Sequence, residues 1–100
     1  MQSINAEARR ALLTIRACVA ADRIQVLPHF RLRMAERGLV WPDVLAILDD
    51  PHAVRGQGRD RYERRKWLVS GDAADGEPIE FVCVLDENER GESTVFVTIY

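Results

Sequence analysis

The segment Ile79–Asp86, with the sequence IEFVCVLD, decides the fold because it has the pattern of a central β-strand. Successive side chains of a strand point to opposite faces of the sheet. Here Phe81 and Cys83 would lie on one face, and Val82 and Val84 on the other, so both faces are apolar. A strand that is apolar on both faces is expected inside a sheet with partners on each side.

The chain on either side of this segment alternates with a period of two, which predicts three further strands. We expect them at Ala53–Gly58, Arg61–Ser70 and Thr94–Tyr100. The stretches 71–78 and 87–92 contain turn-forming Asp, Asn and Gly residues and are predicted loops. Alternation divides the last strand into two faces, with Val95, Val97 and Ile99 on one and Thr94, Phe96, Thr98 and Tyr100 on the other.

Apolar residues before residue 50 recur at helical spacing, which predicts three helices. The first covers 3–21 with Ser3 or Asn5 as its N-cap, the second runs from Pro28 to Arg37 and ends at Gly38, and the third covers 42–48. Helices followed by an antiparallel meander define an α+β fold. We therefore expect N-terminal helices packed on a four-stranded antiparallel sheet.

The composition is that of a single globular domain. The chain has 100 residues, of which 47% are hydrophobic and 30% charged, and no apolar run is long enough to span a bilayer. These features, and the absence of a signal-peptide pattern, predict a cytoplasmic protein without membrane contact. Cys18 and Cys83 fall in apolar patterns and are expected to be buried thiols, while His29 and His52 lack metal-ligand spacing. No metal site and no cofactor are predicted.

The formal charge of −2 conceals a segregation of charge along the chain. Basic residues concentrate in 23–37 and 53–67, and acidic residues in 71–93. The acidic total argues against a non-specific coat on DNA, which usually needs a basic domain. It leaves room for a compact site for an anionic ligand.

One such site is predicted on the second helix. His29, Arg33 and Arg37 are spaced four residues apart and therefore lie on one helical face. An imidazole can act as a general acid or base, and a guanidinium group can form bidentate hydrogen bonds with a phosphate. The alternative is a solvated arginine-rich surface, and these residues alone do not decide between the two.

A second candidate surface lies on the sheet. Tyr62, Arg64 and Lys66 share one face of their predicted strand, and Thr98 and Tyr100 share one face of theirs. If the two sets lie on the same face, cations, hydroxyls and aromatic rings meet on a surface suited to RNA. The alternative is a half-solvated sheet whose exposed strand carries charge against edge pairing.

Together these residues resemble a known family. The run His29-x-x-x-Arg33-Met34-x-x-Arg37-Gly38-Leu39, the pair Asp50-Pro51, the pair Arg61-Tyr62 and the closing Val97–Tyr100 are similar to the small bacterial proteins of domain-of-unknown-function family 4258. That family is placed in the barnase/EndoU/colicin/RelE-like toxin fold. The resemblance covers residues 24–100, so we expect a domain over 23–100 and a helical extension over 1–22.

The resemblance implies a metal-independent endoribonuclease that acts as the toxin of a toxin–antitoxin pair. It implies RNA as substrate and an antitoxin protein as partner. The catalytic candidates are His29, Arg33, Tyr62 and Tyr100, and the candidates for RNA or phosphate binding are Arg37, Arg64, Lys66 and Thr98. Two other hypotheses stay open. The protein is a non-catalytic module that binds RNA or a protein partner, or it forms a homodimer through residues 3–21.

Overall fold

The computed structural model describes residues 4–100 and has three helices and one five-stranded sheet. The elements are α1 (Ala6–Ala20), β1 (Ile24–Val26), α2 (Pro28–Glu36), α3 (Trp41–Asp49), β2 (Ala53–Arg59), β3 (Arg65–Asp72), β4 (Pro78–Asn88) and β5 (Gly91–Ile99). The α+β fold class is confirmed. The prediction of four strands is wrong, because Ile24–Val26 forms a fifth.

The sheet has the strand order β1-β5-β4-β3-β2, so β4 lies at its centre as predicted. Strands β2 to β5 form an antiparallel meander, and β1 adds to the edge of β5 in the parallel direction. The sequence predicts no strand at β1 because three residues are too few to display a period. Its strand conformation comes from pairing with Thr94–Phe96.

Capping and turn residues set the ends of the helices. The Asn5 side chain accepts a hydrogen bond from the Ala8 amide at 2.8 Å and so caps α1. The alternative cap Ser3 lies outside the residues that the structure describes. Pro28 occupies the first turn of α2, and Gly38 follows that helix with a φ of 65°, which favours glycine.

All three helices contribute to a core on one face of the sheet. Phe96 lies at its centre, with ring centroids 5.5 Å from Phe30, 5.1 Å from Trp41 and 6.1 Å from Phe81. Helix α1 adds Ala8, Ala11, Leu12 and Ile15 to the same cluster. The opposite, open face of the sheet carries Val82 and Val84, which are not part of this cluster.

Strand β5 contains a bulge that changes which residues share a face. Thr98 pairs with Val82, but Phe96 pairs with the next residue, Cys83, so Val97 has no direct partner. Val82 and Cys83 point to opposite faces, and therefore Phe96 and Thr98 do so as well. The prediction that Phe96 and Thr98 share a face is wrong, and Phe96 is fully buried on the helical side.

Strand β3 starts four residues later than expected. The predicted strand Arg61–Ser70 is replaced by a turn over residues 60–64 and a strand over Arg65–Asp72. The cause is Asp60, whose side chain accepts hydrogen bonds from the Tyr62 and Arg64 amides, each at 2.9 Å. Glu63 completes the turn with a φ of 62°.

The two cysteines are buried free thiols, as predicted, and burial raises the pKa of the Cys83 thiol well above its usual value. Among residues 4–100, no helix is long and apolar enough to cross a membrane. Within the same range, no three His, Cys, Asp or Glu side chains are grouped so that they could hold a metal ion.

Candidate nucleic-acid interface

A groove of about 300 Å³ lies on the open face of the sheet, opposite the helical core. Val82 and Val84 of the central strand, both almost fully buried, are part of its lining. The polar residues that line it come from the β2–β3 turn, from β3 and from the end of β5: Asp60, Arg61, Tyr62, Arg64, Lys66, Thr98 and Tyr100. Five of the eight predicted site residues therefore lie around one groove. Both predicted polar sets line this groove, but the prediction that Tyr62 and Arg64 lie in a strand is wrong, since they lie in the β2–β3 turn.

The β2–β3 turn holds Tyr62 at the mouth of the groove, with 63% of the residue exposed. The guanidinium carbon of Arg61 is 5.1 Å from the centroid of the Tyr62 ring, and that of Arg64 is 5.0 Å from it. Both distances are within the range of cation–π contacts. The ring is therefore an exposed aromatic surface with two cations beside it.

Arg64 is held by two carboxylates. Its Nε donates to Asp60 Oδ2 at 2.8 Å, and its Nη1 lies 3.4 Å from Asp86 Oδ2. Desolvation opposes the charged form of Arg64, but the hydrogen bonds and the charges of Asp60 and Asp86 outweigh it and raise the pKa of Arg64. Two negative charges thus compensate this guanidinium. Arg64 supports the Tyr62 ring and the turn, and little of its charge is left for a phosphate.

Asp60 is correspondingly fixed in its ionised form. Desolvation alone would raise the pKa of this carboxyl group, but hydrogen bonds from the Arg64 amide, the Arg64 guanidinium and the Tyr62 amide together lower it. A carboxylate that accepts these bonds is a poor proton acceptor for a substrate. Asp60 therefore shapes the groove and is not available as a general base.

Arg61 and Lys66 are the uncompensated cations of the groove. Within residues 4–100, neither side chain forms an ion pair, whereas Arg33, Arg37, Arg64 and Arg65 all do. Lys66 is also the single lysine of the chain. Arg61 is not among the site residues that the sequence predicts. The signal that could have found it is the turn that Asp60 forms, which brings Arg61 and Tyr62 together to the tip of a hairpin.

Thr98 and Tyr100 line the groove from the end of β5. The bulge at Val97 turns Thr98 to the open face beside Val82. The Tyr100 amide donates to the Glu80 carbonyl oxygen at 2.9 Å, and 56% of Tyr100 is exposed. A hydroxyl and a second phenol are therefore available to a ligand in the groove.

The three residues of the α2 face lie outside the groove lining. His29 is exposed in the first turn of α2, two residues after Leu27, which does line the groove. Arg33 Nε donates to the Ile99 carbonyl oxygen at 2.9 Å, and Arg37 donates to the Tyr100 carbonyl oxygen and pairs with Glu77 at 2.8 Å. The sequence predicts a phosphate-binding face here, and the structure places two of its three side chains on backbone oxygens of β5 and the residue after it.

A larger cleft of about 810 Å³ shares Tyr62 and Arg64 with the groove. Its lining mixes cations with the carboxylates of Asp86, Glu87 and Glu92. Arg65, which also lines it, is paired with Glu7. This mixture of charges suits an anionic ligand less well than the smaller groove does.

The fold and the groove define a small α+β protein with a cationic and aromatic site on an open sheet face. The chain belongs to the family described as Domain of unknown function (DUF4258), whose model matches residues 26–100. The matched range contains every groove residue and α2, and leaves α1 outside. No curated protein and no solved structure matches the chain.

Proposed function

We propose that this protein is a metal-independent endoribonuclease that binds RNA in the open-face groove and acts as the toxin of a toxin–antitoxin system. The observation that carries the proposal is the meeting of Arg61, Tyr62, Lys66, Thr98 and Tyr100 around one groove. They come from a turn, two strands and the residue after β5, so the tertiary fold brings them together. The resemblance to family 4258 implies a RelE-like toxin fold, and a toxin of that fold would have the same function.

Both ionic contacts and base stacking would contribute to RNA binding. Arg61 and Lys66 would contact phosphate oxygens, because their charges are uncompensated among residues 4–100. The exposed Tyr62 ring would stack on an unpaired base, a contact of about 1–3 kcal/mol per base. A protein that binds RNA with a few uncompensated cations should bind more weakly as the salt concentration rises.

The reaction would be transesterification within the RNA. The 2′-oxygen attacks the adjacent phosphorus as the bond from phosphorus to the 5′-oxygen breaks, so the products carry a 2′,3′-cyclic phosphate and a 5′-hydroxyl. A base must accept the 2′-proton, an acid must protonate the 5′-oxygen, and cations must stabilise the added negative charge. Lys66 and Arg61 would provide the charge, Tyr62 or Tyr100 a proton donor, and His29 the candidate base.

The test is incubation of the purified protein with a defined single-stranded RNA in EDTA, with product ends identified by mass spectrometry. We expect 2′,3′-cyclic phosphate ends with the wild type and about 10²–10⁴-fold slower cleavage after loss of an essential proton-transfer group. The variants are His29→Ala, Lys66→Gln, the charge-conserving Lys66→Arg, and Arg31→Gln as a control on an exposed arginine of α2. Intact RNA with the wild type would refute the nuclease proposal.

A second candidate is an RNA-binding module that does not cleave. It is favoured by the state of the groove, where the lining carboxylate Asp60 is fully engaged and His29 is not among the lining residues. RNA that is bound but stays intact would select this function. In that case Lys66→Gln should still weaken RNA binding. It should also reduce the steepness of the plot of log K against log salt concentration by about 0.7.

The toxin role is tested in cells. Induced expression of the wild type should arrest growth, and Lys66→Gln should relieve the arrest at equal protein level. An antitoxin partner should cover the same cations, so its complex should no longer bind RNA. Unchanged growth under the wild type would refute the toxin role and leave RNA binding to be judged in vitro.

A further inference from the structure

We infer that Arg33 and Arg37 are positioning residues, which hold the end of β5 so that Tyr100 stays at the groove. This inference rests on the proposed function for its consequence in RNA binding. Its structural part, a clamp from helix α2 onto the last strand, can be tested without RNA. It gives the His29/Arg33/Arg37 spacing a role that differs from phosphate binding.

Arg33 provides the first contact. Its Nε donates to the Ile99 carbonyl oxygen at 2.9 Å, and its Nη1 pairs with Glu36 at 3.2 Å on the same helix. The same guanidinium thus contacts both α2 and the end of β5. Ile99 itself is buried in the core and pairs with Phe81, and the contact therefore reaches the last residue whose side chain is anchored by packing.

Arg37, the residue that follows α2, provides the second contact. It donates through Nη1 to the Tyr100 carbonyl oxygen and through Nη2 to Glu77 at 2.8 Å. The Tyr100 amide donates to the Glu80 carbonyl oxygen at 2.9 Å. The backbone of Tyr100 is thus tied on one side to β4 and on the other to α2, while more than half of the residue stays exposed.

This clamp matters because little else fixes Tyr100. Strand β5 ends at Ile99, and among residues 4–100 the Tyr100 ring forms neither an aromatic pair nor a cation–π contact. Both guanidiniums are engaged with backbone oxygens and carboxylates, so binding a phosphate would cost these bonds. The two arginines therefore act on RNA through the position of Tyr100.

A double-mutant cycle separates positioning from direct contact. We expect Arg37→Gln to weaken binding of a short single-stranded RNA about 3- to 10-fold, as part of the loss from one misplaced stacking ring. In the Tyr100→Ala background the same substitution should change the affinity less than twofold. The slope of log K against log salt should stay that of the wild type, because no phosphate contact is removed. Additive losses with a slope reduced by about 0.7 would overturn the inference.

A measurement without RNA decides the clamp itself. Amide hydrogen exchange at Tyr100 should be at least several-fold faster in Arg37→Gln than in the wild type, and unchanged in the control Arg31→Gln. Glu77→Gln leaves the guanidinium in place but removes the negative charge of its partner, so it should give a smaller increase in the exchange rate. Equal protection of Tyr100 in all four proteins would overturn the inference even if RNA binding is observed. If the wild type binds no RNA, the proposed function fails, and the exchange data alone decide the clamp.

Discussion

Replacement of Phe96 by alanine tests the bulge in β5, which separates the core from the groove. Phe96 is fully buried, and its ring packs edge-on against Phe30 and Trp41. Truncation of a buried Phe costs about 3–5 kcal/mol, which includes the cavity left behind. Small domains are stable by about 5–15 kcal/mol, so the loss would be a large part of the total.

Urea unfolding followed by tryptophan fluorescence measures this loss, and Trp41 reports directly because it contacts Phe96. With a slope of about 1–3 kcal/mol per molar urea, a loss of 3–5 kcal/mol lowers the midpoint by roughly 1–5 M. The matched control is Thr98→Ala, two residues further on and on the open face, which should cost less than about 1 kcal/mol. A loss of unfolding free energy below 1 kcal/mol for Phe96→Ala, together with weaker RNA binding, would refute the reasoning. It would show that Phe96 lies on the groove face and that β5 has no bulge at Val97.

Two further predictions concern stability. Gly71→Ala should destabilise the protein by about 1–3 kcal/mol in the same urea assay, because the added Cβ would lie 2.9 Å from the Ile47 Cγ2 atom of α3. Gly56→Ala is its control, since the nearest atom to that Cβ is at 3.6 Å, and an equal loss at both sites would refute the packing argument. The pKa of Asp60 is lowered in the folded state, so its stabilising effect is present above the usual carboxyl value of 3.8 and is lost as the pH falls below it. The wild type should therefore lose more stability than Asp60→Asn between pH 7 and pH 3, and parallel losses in both proteins would show that the contacts with Arg64 do not shift this carboxyl group.

The local elements of the fold could be predicted from the sequence because short-range patterns fix them. Pro28 and Gly38 bracket α2, and Asn5 caps α1, through interactions within a few residues. The doubly apolar segment Ile79–Asp86 predicts the central strand, and it is central in the structure. These features depend on backbone chemistry and on periodicity, which the chain carries in its order of residues.

Strand β1 and the bulge at Val97 could not be predicted in this way. A three-residue strand has no measurable period and forms only because β5 offers an edge to pair with. The bulge leaves the sequence pattern of β5 unchanged, yet it moves Phe96 into the core and Thr98 to the groove. Pairing between distant segments decides both.

The groove, too, depends partly on local sequence patterns and partly on tertiary structure. Alternation in the sequence predicts an aromatic and cationic set on strand faces, Tyr62, Arg64, Lys66, Thr98 and Tyr100, although Tyr62 and Arg64 lie in the β2–β3 turn. Only the tertiary structure decided which charges are free. Arg64 is compensated by Asp86, 22 residues away, and Arg33 and Arg37 are engaged by oxygens 66 and 63 residues away. Charge is a property of a residue, but its availability to a ligand depends on which partners the fold brings within hydrogen-bonding distance.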